Sequence, residues 1–243
     1  MRVGILGSGL MGGKLGTLFA RAGHEVVFSY ARTSQKLEKL AREAKGKARA
    51  GTPAEAAHDA DALLLAVHWS RVDDVLKQAG DLSGKTIVSC SLPMNADDTD
   101  LVVAHTSSGA EELAKKTPRA RIVAAFGTVP SEVLFDVFAG RRKATRPSLL
   151  YCGDESRSKK VAAQLIGDVG FDPVDAGPLR IARYTEPFTR SSLGSPTKER
   201  GAHGWRTGSS GLEYRKRDKT GVWGSRHAPL SESCSAHATR LHS

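Results

Sequence analysis

The chain has 243 residues, 40% hydrophobic and 26% charged, which suits one large domain or two small ones with a sizeable core. No apolar run approaches the ~18 residues that span a bilayer, so a membrane-spanning helix is excluded. The net charge of +10 invites a nucleic-acid partner, but residues 189–243 hold 10 Lys and Arg against 4 Asp and Glu, whereas the first 188 residues hold 26 against 22. The basic character belongs largely to a tail, and no nucleic-acid partner is expected for the rest.

Residues 2–6 are predicted as a strand running straight into a Gly-rich turn. No basic segment followed by an apolar run precedes it, so no signal peptide is expected and the expected location is the cytoplasm. Residues 10–22 have helical spacing of apolar residues and stop at Gly23. Residues 24–29 read as a strand, 34–44 as a charged helix and 53–58 as a short helix. The apolar run at 62–67 reads as a buried strand, 71–79 as a helix and 86–91 as a strand. A helix at 109–116 and a strand at 121–126 follow. Strands at 147–152 and 172–175 then flank a helix at 159–167. This alternation predicts an α/β fold, a Rossmann-type doubly wound, mostly parallel sheet of six to eight strands in one domain, residues 1–188. Cys90, Cys152 and Cys234 are widely spaced and offer neither a disulfide framework nor zinc spacing. No metal site is expected.

Gly7-Ser8-Gly9-Leu10-Met11-Gly12 is G-x-G-x-x-G, and it follows a strand and opens a helix, the context in which this pattern has meaning. Gly7 would make the tight turn, Gly9 would let the backbone approach a pyrophosphate, and Gly12 would let helix and strand pack closely. The pyrophosphate would sit on the helix N-terminus. The second strand ends Ser29-Tyr30-Ala31-Arg32-Thr33, without the acid that holds a ribose 2′-hydroxyl in NAD binders. Ser29, Arg32, Thr33 and Lys36 instead form a cationic, hydroxyl-rich group suited to a 2′-phosphate, so NADP is favoured over NAD.

Val67-His68-Trp69-Ser70 follows a strand on the side where such sheets bind ligands, so His68 and Trp69 could line the nicotinamide pocket. His68 is a candidate proton donor, or a residue that only shapes the pocket. Cys90 has no base beside it in sequence and reads as a small buried residue. Residues 124–130 form a third strand end that could close the site.

Several segments together resemble the coenzyme-F420-dependent NADP oxidoreductase family: GILGSGLMG, HEVVFSYARTS, DALLLAVHW, and then AAFGTVP, YCGD and VDAGPL in that order. The resemblance covers residues 1–188. It implies hydride transfer between NADPH and the deazaflavin F420, with C4 of nicotinamide facing C5 of the deazaflavin and catalysis resting on positioning. It also implies Ser8, Leu10, Ser29, Arg32, Thr33 and Lys36 as NADP contacts, and Val67 and His68 beside the nicotinamide. The chain departs from many members at Gly127, where they carry His or Asn.

Residues 189–243 contain no Ile, Met or Phe, one Val (Val222), ten Ser and seven Gly. Such a stretch is expected to be disordered. Members of the family continue with an apolar helix resembling ALVAGLAYEG, and a one-base shift of the codons for residues 189–199 can spell ALVAGLAYE. A frame-shifted tail is therefore expected from near Phe188, one that would impair a homodimer if the missing helix formed its interface. Two other readings stay open. One is reduction of a small imine or carbonyl with His68 as general acid; the other is a non-catalytic NADPH sensor.

Overall fold

The computed structural model describes residues 1–192. Strand β1 (Arg2–Leu6) sends Val3 and Ile5 to one face of the sheet and Leu6 to the other, and both faces are buried. The order continues α1 (Leu10–Arg21), β2 (Glu25–Ser29), α2 (Ser34–Glu43), β3 (Ala48–Ala50), α3 (Pro53–His58), β4 (Ala62–Leu65), α4 (Val72–Ala79) and β5 (Thr86–Ser89). Then come α5 (Gly109–Lys116), β6 (Arg121–Ala124), α6 (Leu134–Ala139), β7 (Ser148–Gly153), α7 (Ser156–Asp168), β8 (Asp172–Asp175) and α8 (Ala182–Ser192).

The eight strands form one sheet in the order β3-β2-β1-β4-β5-β6-β7-β8. Neighbours are parallel except β6 and β7, which meet antiparallel with Ala124 opposite Cys152. The Rossmann-type, mostly parallel sheet expected from the alternation is therefore present. Strand order reverses between β1 and β4, and that switch point opens the crevice in which such sheets bind ligands.

Period-2 patterning explains the two layers. Leu64, Val88 and Val123 join Leu15, Leu18 and Phe19 of α1, Leu134 of α6 and Leu165 of α7 on one face. Leu63, Leu65, Ile87 and Ile122 meet Ala56 of α3, Val75 of α4 and Leu113 of α5 on the other. All four residues of β4 are buried, as a central strand covered on both faces requires. Local signals agree with the packing. Thr52 Oγ1 accepts from Glu55 N at 3.2 Å while Glu55 Oε2 accepts from Thr52 N at 2.6 Å, a capping box that starts α3 with Pro53 at its first position.

Three elements go beyond the sequence reading. β3 is an edge strand of only three residues, Ala-Arg-Ala, with no β-branched side chain to mark it. α6 is six residues long, too short for periodicity to register. α8 runs four residues past Phe188, where the apolar pattern ends. The disordered, frame-shifted tail expected over 189–243 lies almost wholly outside the described residues.

Candidate functional site

Gly7 takes φ +109°, and a Cβ there would lie 2.5 Å from Val67 Cγ1 and 2.6 Å from Ala66 O. A Cβ on Gly12 would lie 1.9 Å from Gly7 O, so a side chain at this position would wedge α1 off its strand. Gly9 is different: among the described residues a Cβ would meet no atom within 4 Å, so the space in front of it is open. Among the described residues no side chain caps the N-terminus of α1, and its first turn carries no acid. Exposed Leu10 and half-buried Met11 begin that turn. Free N–H groups, the helix dipole and open space together make a seat for an anion.

Two expected contact residues turn inward. Ser8 Oγ donates to Ser29 O at 2.9 Å, and Ser29 Oγ donates to Ile5 O at 2.6 Å, with both residues buried. Their hydroxyls brace β1 against β2. Gly7 N and Ser8 N donate to Ser29 O and Tyr30 O, tying the turn to the end of β2.

Beyond β2 the chain turns through Tyr30 at φ +56°, and its hydroxyl donates to Asp74 Oδ2 at 2.5 Å. Burial, with Asp74 beside it, pushes the Tyr30 phenol up to about 12, so it stays a neutral donor. Arg32 and Lys36 are exposed and make no ion pair among the described residues. Thr33 caps α2, its Oγ1 accepting from Lys36 N at 3.4 Å. The second strand end therefore presents two uncommitted cations and no carboxylate.

Val67 packs against Gly7, and its N–H donates to Ser91 Oγ at 3.2 Å. His68 is committed on both nitrogens. Nδ1 accepts from Ser70 N at 3.2 Å and lies 2.8 Å from Ser70 Oγ. Nε2 lies 3.1 Å from Asn95 O and 3.2 Å from Asp98 Oδ1, so the partners assign the proton to Nε2. The ring ties the end of β4 to the loop at residues 95–98. That is the pocket-shaping alternative for His68, with no lone pair or proton left over for a substrate in this arrangement.

Past β5 and β6 lies a cavity of about 30 Å³, room for one or two waters. Ser89, Cys90, Ser91, Tyr151, Thr185 and Glu186 are among its lining residues. Burial pushes the Cys90 thiol up to about 12, which removes it as a nucleophile, as its sequence context implied. Glu186 was not singled out by the sequence. It is buried, and burial pushes its carboxyl up to about 7 despite the pull of the Gly109 and Ala110 amides. A signal existed: Ala182, Glu186 and Thr189 fall on one helical face, while Tyr184 and Phe188 fall on another.

Residues 2–93 match the model of the family described as NADP oxidoreductase, coenzyme F420-dependent. The match spans β1 to the end of β5 and includes the Gly-rich turn, Arg32 and His68, so it meets the resemblance carried by the motifs. The metalloreductase STEAP3 of Rattus norvegicus is 30% identical over 185 residues, 76% of this chain and 36% of that protein; the chain thus spans about a third of its length. Among solved structures, a protein assigned as an F420-dependent NADP-reductase from Arthrobacter sp. FB24 is similar at 22% identity and TM-score 0.70, over 79% of this chain and 92% of that one. A reductive aminase from Aspergillus terreus, solved with NADPH and ethyl-5-oxohexanoate, is similar at 19% identity and TM-score 0.58, over 79% of this chain and 60% of that one. At these identities the two structures show the shared fold. The family and the named relatives are oxidoreductases.

Proposed function

We propose that the protein is an NADP-dependent oxidoreductase that passes a hydride between NADPH and the deazaflavin coenzyme F420. One observation carries the reading. An uncapped helix N-terminus with open space at Gly9 stands beside the uncommitted cations Arg32 and Lys36, inside the segment that matches the family. The residues fit the cofactor. The amides opening α1 would hold the pyrophosphate, and Arg32 with Lys36 would hold the 2′-phosphate through charge-assisted bonds. Ser8 and Ser29 contribute by fixing the turn from beneath. Val67 would flank the nicotinamide.

NADPH, when bound, supplies the hydride. This chain contributes orientation: His68 holds the loop at 95–98, and the ends of β5 and β6 form the far wall. Holding two reactants at contact can supply roughly 7–11 kcal/mol of the barrier without a protein acid or base. Commitment of both His68 nitrogens favours this mechanism over imine or carbonyl reduction with His68 as the acid.

The test is direct. Purified protein is mixed with F420 and either NADPH or NADH, and loss of the F420 absorbance is followed. Turnover with a clear preference for NADPH is the expected result. Tight NADPH binding without F420 reduction would overturn the acceptor and return the imine, carbonyl and sensor readings to contention.

A further inference from the structure

Helix α8 has its polarity turned inside out. Ala182, Glu186 and Thr189 are buried, whereas Tyr184 and Phe188 are 64% and 53% exposed. Among the described residues the buried face of this helix carries two polar side chains, and polar contacts help fix its place. Glu186 Oε2 accepts from Gly109 N at 2.7 Å and Oε1 from Ala110 N at 3.0 Å, satisfying the first amides of α5. Arg183 pairs with Glu111 in the same turn through two bonds, Nε to Oε2 at 2.8 Å and Nη2 to Oε1 at 2.7 Å. Arg190 Nε donates to Thr99 O at 2.9 Å. The helix so fastened presents Thr185, Glu186 and Thr189 to the cavity past β5 and β6.

We propose that Glu186 is a positioning residue whose carboxyl group clasps the opening amides of α5 and so holds α8 as the wall at the acceptor end of the crevice. The inference rests on the hydride-transfer reading for the meaning of that wall. The groups facing Glu186 are Glu111 of α5, itself paired with Arg183, Tyr151 and Cys152 of β7, and Cys90 at the end of β5. Burial pushes Cys152 up to about 12, with Glu186 adding to the shift, so neither thiol competes for charge near neutrality. Glu186 changes charge at about 7, whereas a released carboxyl would do so near its ordinary ~4.3. The docked helix therefore binds the proton better than the released one. Its docking is firmest at low pH and weakens as pH rises from about 4.3 to about 7, roughly tens of fold in the opening equilibrium between pH 5 and 8.

The experiment uses the full chain with Cys234→Ser, a position outside the described residues, which leaves Cys90 and Cys152 as the only thiols. Glu186→Ala is expected to speed labelling of those two cysteines by a disulfide reagent at least tenfold at fixed pH. It should also release the Gly109 and Ala110 amides to hydrogen exchange. The KM for F420 should rise about tenfold or more, with the Kd for NADPH within twofold of the parent. Glu186→Gln keeps one carbonyl acceptor but cannot ionise. It should label more slowly than the Ala variant, and its F420 KM should lose the rise with pH shown by the parent. Unchanged labelling and exchange in Glu186→Ala overturn the clasp. Faster labelling with an unchanged F420 KM overturns its role at the acceptor wall. If the Ala variant does not fold, the Gln variant decides: a pH profile identical to the parent's overturns the proposal. If the parent reduces no F420, the hydride-transfer reading fails, while labelling and exchange still judge the clasp.

Discussion

Replacing Gly12 by Ala, with Gly9 by Ala as its counterpart, separates the two duties of the Gly-rich turn. A Cβ on Gly12 would sit 1.9 Å from Gly7 O, and relieving that contact requires α1 to move more than about 1 Å from β1. Overpacking of this kind costs about 1–3 kcal/mol, or roughly 2–12 °C in Tm for a domain of this size. The same movement carries the amides of α1 off the pyrophosphate, and a 1 Å misplacement costs on the order of 10²-fold. Gly12→Ala should therefore lose both stability and NADPH affinity. A Cβ on Gly9 would touch no protein atom within 4 Å, so Gly9→Ala should keep its stability within about 0.5 kcal/mol. It should still weaken NADPH tenfold or more, because the methyl group fills the ligand's space. Thermal unfolding followed by circular dichroism and NADPH titration by fluorescence give both numbers. Gly9→Ala that binds NADPH like the parent, or that unfolds as early as Gly12→Ala, would refute the placement of the phosphate.

Arg32→Ala should weaken NADPH about 10–100-fold, the value of a charge-assisted phosphate contact, and leave NADH unchanged; equal losses for both in calorimetric titration would remove Arg32 from the 2′-phosphate. His68→Ala should keep kcat for F420 reduction within about tenfold while raising hydrogen exchange at residues 95–98, whereas a general acid would cost 10²–10⁴-fold. His24 is buried between the Met1 amine and Asp168, and burial lowers its pKa below the usual imidazole value. The folded state therefore binds this proton less well than the unfolded state, and stability is lost as pH falls through about 6.5. Denaturant unfolding from pH 7.5 to 5 should show the parent losing stability relative to His24→Gln, and parallel curves would refute the assignment.

The cofactor half was legible because each local signal there agrees with the packing. Gly7, Gly12 and the all-apolar β4 have one structural solution each, and the sequence states it directly. Ser8 and Ser29 were read as NADP contacts, because residue type alone could not tell a hydroxyl aimed at a ligand from one aimed at a carbonyl. His68 shows the same limit: its commitment depends on Asn95 and Asp98, more than 25 residues away. Helix α8 escaped because periodicity searches for an apolar buried face, and this face is Ala182, Glu186 and Thr189, with Pro187 in the helix as a further false stop.

That inverted helix has a consequence for how the protein can change. Substitutions at Gly7 or Gly12 would disturb the packing of α1 on the sheet, so the proposed nucleotide grip is tied to the fold at those two positions. Thr185 and Thr189 face a cavity on a helix whose place is set by ion pairs and amide contacts elsewhere along it. Thr185 is half-buried and tolerates exchange more readily than Thr189, which is buried and donates its hydroxyl to Thr185 O at 2.8 Å. On the proposed reading the scaffold thus separates holding the donor, which is tied to core packing, from shaping the acceptor wall, which is tied to it less. Directed libraries confined to these two positions are the natural place to retarget its chemistry.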